Sequence, residues 1–229
     1  MSAPWYDIAA PRAETASELY HENSKRGRSD GIAAPRAAVP APDYGGLPIL
    51  ALADAVPQTA PPQAAAFRAD AGPVPLRAFS DLLAASCRPL AEGDPVEAFV
   101  CLNAVEALPR GVAWYEPTAH RLRLLRRDPV MADVERALAA PDVLRRSSAL
   151  IVLAANLDGA TAMAGERGYR DALIATGRHL AAMETAAAVA GLRLDAAVAF
   201  YDREVDALLF LDGLARSVLA VVAVGPARG

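Results

Sequence analysis

Lysine is almost absent from this chain. Lys25 stands alone among the 23 Lys and Arg side chains of 229 residues, so chemistry that needs an ammonium base has one candidate. Cysteine is nearly missing too. Cys87 and Cys101, the only two, match no zinc spacing and read as buried, reduced packing residues. The histidines, His21, His120 and His179, are scattered, and none has a carboxylate at ligand or relay spacing. They are expected to be solvent-facing or structural, with His179 left open as a pocket residue, and no metal site is expected. No apolar run approaches the roughly 20 residues of a membrane-spanning helix. The late runs Ala149–Ala155 and Val218–Val224 are too short, and Trp5, Asp7, Pro11 and Glu14 break up any signal sequence. Surplus positive charge is lacking as well. A net charge of −4, with arginines dispersed among acids, gives no groove for nucleic acid. A GxGxxG fingerprint, a P-loop and a nucleophile elbow are all missing. The expectation is a soluble, cytoplasmic protein with no nucleic-acid or membrane partner.

What is present is globular composition, 54% hydrophobic and 22% charged, enough for one sizeable domain. Proline is concentrated early: 11 of the 18 fall at or before Pro75, a density that excludes long helices and central strands. Residues 1–72 are therefore expected to form a proline-rich arm, extended from Ile32 to Pro62, with a short helix at Ala13–Glu22. The folded body is expected over 73–229. Leu76, Phe79, Leu82 and Leu83 recur at helical spacing, and Glu97–Asn103 suits a buried strand. Gly111–Tyr115 and His120–Leu125 flank a turn at Pro117-Thr118-Ala119 and predict a hairpin. Helices are expected at Met131–Ala139 and Asp142–Arg146, and a strand buried on both faces at Ser148–Ala155. A long helix from Gly168 to Ala190 should stop at Gly191. It carries few charges, with Asp171, Arg178 and Thr185 as its polar stripe, so burial over most of its circumference is expected. A strand at Leu194–Phe200, a helix at Asp202–Phe210 and a strand at Val218–Val224 complete an α+β domain with a mixed sheet around that long helix.

Several segments, in order, carry a resemblance. Gly165-Glu166-Arg167-Gly168-Tyr169-Arg170 opens the long helix. Pro73-Val74-Pro75-Leu76 leads into Phe79–Leu83, and Val105-Glu106-Ala107-Leu108-Pro109-Arg110-Gly111 follows the first strand. Trp114–Pro117, Phe200-Tyr201-Asp202, Ala207–Asp212 and the early Tyr20-His21-Glu22-Asn23-Ser24-Lys25 extend the match. Together they resemble the SagB-type dehydrogenases, the azoline-oxidising branch of the FMN-dependent nitroreductase fold. The resemblance implies a nitroreductase-like fold, a dimer with FMN between two subunits, and oxidation of thiazoline or oxazoline rings in peptides to azoles.

The same comparison of motifs marks departures where the chemistry belongs. The family's lysine–tyrosine pair, directly before its glycine-x-arginine-glycine-tyrosine element, is here Met163 and Ala164, and neither side chain accepts a proton. Of its arginine-rich flavin-phosphate run only Arg68 remains. Its arginine-proline-serine-alanine-glycine flavin loop reads Arg88-Pro89-Leu90-Ala91-Glu92-Gly93, without the hydroxyl and with a new negative charge. Its glycine-histidine and glutamine-asparagine pairs are Gly177-Arg178 and Ala181-Ala182. The flavin contacts the resemblance leaves are Arg68, Arg88, Arg167 and Arg228, although Arg167 and Arg170 are better suited to surface ion pairs with Glu166 and Asp171, and no catalytic residue is assigned. The expectation is a degenerate subunit paired with an intact nitroreductase-family paralogue, or with itself, in a peptide-maturation complex. A self-contained FMN dehydrogenase using Tyr169 or Tyr201, and a non-redox peptide-binding module, stand as alternatives.

Overall fold

The computed structural model describes residues 19–21, 25, 72–196 and 198–226. The arm at 32–62, Arg68 and Arg228 lie outside the described residues; of the helix expected at Ala13–Glu22, Leu19–His21 are described and are helical. In chain order the body contains α1 (Leu76–Ser86), β1 (Val96–Leu102), β2 (Gly111–Glu116), β3 (Arg121–Arg127), α2 (Met131–Ala137) and α3 (Asp142–Arg146). Then follow β4 (Ala149–Asn156), α4 (Leu157–Ala164), α5 (Arg167–Ala190), β5 (Leu192–Asp195), α6 (Asp202–Leu208) and β6 (Arg216–Pro226).

The six strands form one sheet in the order β3-β2-β1-β4-β6-β5. The α+β class holds, but every ladder between named strands is antiparallel where a mixed sheet was expected. Phe99 faces Val152 across β1–β4, and Ile151 faces Val222 across β4–β6. Side chains alternate between the two faces of a strand, and this alternation splits the core. Val96, Ala98, Val100 and Leu102 join Ile151 and Leu153 beneath Phe79 and Leu82 of α1 and Met183 and Ala187 of α5. Phe99, Cys101, Leu150 and Val152 face the other way, against Met131 and Val134 of α2 and Val205 and Leu208 of α6. Each fully buried aliphatic side chain contributes about 1.5–3 kcal/mol. β4 lies in the middle with both faces covered, which is why its sequence shows no polar alternation until the exposed Asn156.

Two further expectations change. The strand from Leu194 to Phe200 is shorter and earlier: β5 pairs only over Leu192–Asp195, opposite Pro226–Ala223. Beyond it the chain leaves the sheet to meet the end of α2, where Tyr201 N–H donates to Ala137 O at 2.9 Å and Ala139 N–H to Ala199 O at 2.9 Å. The long helix α5 is also not buried over most of its circumference. Gly168, Tyr169, Ala172, Thr176, His179, Met183 and Ala187 form one buried stripe at three- and four-residue spacing. Leu173, Ile174 and Val189 are 40%, 56% and 87% exposed. Alanine is apolar enough to suppress charge without having to be covered, and that misled the reading of the helix.

Candidate functional site

The segment that opens α5 shows what its glycine-tyrosine pattern does physically. Asn156 caps α4, its side-chain oxygen accepting the Gly159 N–H at 2.8 Å. α4 ends at Gly165, whose φ of 60° and ψ of −151° fall in a region essentially restricted to glycine. Three residues on, Gly168 packs directly on α4. A Cβ there would stand 2.1 Å from the carbonyl oxygen of Ala160 and 2.6 Å from the Thr161 nitrogen. Tyr169 is buried among Leu157, Ala160 and Ala172, and its hydroxyl meets His21 Nδ1 at 3.1 Å. Tyr20 and His21 both stand edge-on to the Tyr169 ring, with centroids 5.8 and 5.4 Å away. The early tyrosine-histidine pair and the glycine-tyrosine motif, far apart in sequence, are thus two halves of one packing contact. Every residue of the motif named here serves the joint between α4, α5 and the N-terminal segment.

The chemistry-bearing positions look different. Met163, at the end of α4, is 75% exposed, and Ala164 beside it is exposed too. The loop Arg88–Gly93 comes to the same place: a Cβ built on Gly93 would lie 2.9 Å from the Met163 methyl carbon. The fold therefore brings the altered loop and the altered pair together. Arg88 and Glu92 are exposed on that loop. Arg167 is exposed and faces Asp171 at 3.8 Å, the surface pair that the sequence allowed. Exposed pairs of this kind contribute little. A phosphate dianion is normally held by several charge-assisted donors. Among the described residues, the candidate cations supply one arginine already facing a carboxylate and one on a loop shared with Glu92. These residues do not by themselves build a flavin grip, and no proton-transfer group stands at Met163 or Ala164.

Two buried polar clusters were missed. His179, in the middle of α5, is 1% exposed and has carboxylate company after all. Its Nδ1 lies 2.6 Å from Ser86 O and its Nε2 3.0 Å from Asp94 Oδ2. Asp94 also accepts the N–H groups of Leu90 at 2.8 Å and Val96 at 3.1 Å. The partners are too distant in sequence for spacing to reveal them; the one available signal was an aspartate between Gly93 and Pro95. His120 is structural as well, bonded to Tyr115 OH and Ser80 Oγ at 2.8 Å each. The second cluster holds the lone lysine. Lys25 Nζ donates to Gly213 O and lies 3.8 Å from Asp206 Oδ2, with both side chains almost fully buried. Asp206 further accepts from Ser217 Oγ at 2.9 Å and Val218 N–H at 2.8 Å. Burial pushes the Asp206 carboxyl up to about 6, against the opposing pull of Val218, Lys25 and Ser217. Among the described residues there is no group of three or more potential metal ligands, and no helix is long and apolar enough to cross a membrane.

The fold is that of the nitroreductases. A protein assigned as a nitroreductase from Anabaena variabilis superposes with a TM-score of 0.62 at 21% identity, over 71% of this chain. This chain spans only 36% of that protein's length. A chain of the Escherichia coli microcin synthetase McbBCD complex with truncated pro-MccB17 bound also reaches 0.62, at 18% identity. That match covers 97% of this chain and 85% of the other. A protein assigned as a nitroreductase from Ralstonia eutropha gives 0.54 at 18% identity, over 85% of this chain and 97% of that one. No protein-family profile matches the chain, and no curated protein matches it in sequence.

Proposed function

We propose that this chain is a SagB-type nitroreductase-fold subunit of a peptide-maturation complex that oxidises azolines to azoles with FMN. In this reading it does not carry out the oxidation itself. It pairs with an intact flavoprotein relative and completes the wall of that relative's site. The observation that carries the reading is the end of α4. Met163 and Ala164 occupy, in the open and against the Arg88–Gly93 loop, the positions where the resemblance puts a lysine and a tyrosine. The bound peptide in the McbBCD synthetase supports the peptide setting, because the match spans nearly the whole chain. The exposed face of α5 supports pairing. Ile174, Gly177 and Ala181 follow one another at three- and four-residue intervals, all exposed, and the exposed Ala188 lies two turns further on. Small residues at this spacing let a second helix approach closely.

Absorbance and co-purification test the reading together. The isolated chain is expected to be colourless after incubation with FMN and gel filtration, and to leave azoline peptides unchanged. Co-expressed with an intact SagB-type relative, it is expected to elute as a hetero-oligomer carrying flavin. A yellow isolated protein that oxidises the peptide without a second chain would overturn the proposal. So would failure to associate with any intact relative.

A further inference from the structure

The contact between His179 and Asp94 has a proton requirement that its geometry fixes. Ser86 O is a carbonyl and can only accept, so His179 Nδ1 carries a hydrogen at 2.6 Å. A neutral imidazole then presents a bare lone pair at Nε2. Facing it at 3.0 Å is Asp94 Oδ2, which already accepts from Leu90 N–H, while Oδ1 accepts from Val96 N–H. Two lone pairs cannot meet at that distance. One further proton must sit between them, on either atom, for the contact to exist. His120 offers the contrast: its partners are the hydroxyls of Tyr115 and Ser80, which donate or accept as required.

We propose that the His179–Asp94 pair is a one-proton latch on the segment from Arg88 to Pro95, closed while the pair holds its proton and released when it is lost. Closure ties the loop to α1 through Ser86 and to α5 through His179, and it orders the turn through Leu90 and Val96. It also holds Gly93 against Met163 and sets the position of Arg88. Among the described residues, no other charged side chain pairs with His179 or Asp94. On α1, Arg77 and Asp81 are exposed and bonded to each other at 2.8 Å. On α4, Asp158 is exposed, as are Arg178 and Glu184 on α5 itself. Glu97 of β1 pairs with Arg216 of β6, on the opposite side of the sheet from Ala98 and Val100. β4 carries no titratable side chain. The nearest thiol, Cys87, is neutral, since burial pushes it up to about 12.

Cys87 is also the reporter. It is 5% exposed at the end of α1, immediately before the loop, and reacts only when the segment opens. In a Cys101→Ala chain, its rate with a thiol reagent is divided into that of an unstructured peptide of the same local sequence at the same pH. The resulting protection is expected to be level at the acid end. Above the pH at which the pair loses its proton it should fall about tenfold per pH unit. Asp94→Asn removes the carboxylate and sets an amide N–H against the Leu90 or Val96 N–H, so protection is expected to be low and without a slope. Hydrogen exchange at Leu90 and Val96, corrected for intrinsic rates, should follow the same curve. Level protection at every pH at which the chain stays folded, or an equal slope in Asp94→Asn, overturns the latch. So does loss of protection at β4 amides in step with Cys87, which would mean global unfolding. None of these readouts depends on the proposed function.

Discussion

Gly168 and Gly177 lie on the same helix and offer a paired perturbation in which one methyl group has opposite effects. At Gly168 the added Cβ would stand 2.1 Å from Ala160 O, 2.3 Å from the Ala160 carbonyl carbon and 2.6 Å from Thr161 N. All three are backbone atoms of α4, so no side-chain rotation relieves the clash; α4 and α5 must separate. Overpacking a fixed site costs about 1–3 kcal/mol, and separation also loosens the cluster of Leu157, Ala160, Tyr169 and Ala172. Alanine's better helix propensity returns about 1 kcal/mol. A net loss of about 2 kcal/mol is expected for Gly168→Ala. At Gly177 nothing lies within 4 Å of the added atom, so Gly177→Ala should stabilise the isolated chain by about 0.5–1 kcal/mol. Urea melts followed by far-UV circular dichroism would show both, as opposite midpoint shifts at unchanged slope. A Gly168→Ala chain within about 1 kcal/mol of the parent would refute the packing argument. If α5 presents the pairing face, Gly177→Ala should weaken association with a partner even as it strengthens the lone chain.

Phe210 follows α6 with φ of 60° and is 66% exposed, so it bears left-handed strain without compensating burial. Phe210→Gly is expected to raise stability by about 1 kcal/mol in the same urea assay; a loss would mean that the ring makes contacts important to the fold. Asp206 gives a pH dependence of opposite sign to the usual carboxylate. Its folded value of about 6 lies above the ordinary 3.8, so the native state binds the proton more tightly. This contribution is largest at acid pH and is lost as pH rises from about 4 to 6, by up to roughly 3 kcal/mol. Comparing urea stabilities at the two ends should show the fall in the parent and its absence in Asp206→Asn; equal slopes in both would place the titration elsewhere.

Local pattern carried most of the fold. The apolar run Ser148–Ala155 became β4 because a strand covered on both faces needs no alternation, and Gly191 ended α5 in the left-handed conformation expected of it. What stayed hidden depended on third partners. β5 stops at Asp195 because its chain is drawn toward α2, which no residue of Leu194–Phe200 announces. The absence of proton-transfer groups at Met163 and Ala164 could be read directly, and so could the loop facing them. The role of His179 could not be read: a histidine among alanines looks the same whether it meets water or Asp94. Lys25 was visible as a singular residue, but its destination beside Asp206 was set by long-range folding.

That destination has a practical side. The only lysine of the chain has a side chain 6% exposed, so acylating reagents, amine crosslinkers and enzymes that modify lysine find no accessible ε-amino group on the docked form. Covalent tagging at this amine becomes a signature of detachment of the early segment, and arginine and carboxylate chemistry are left for mapping the exterior.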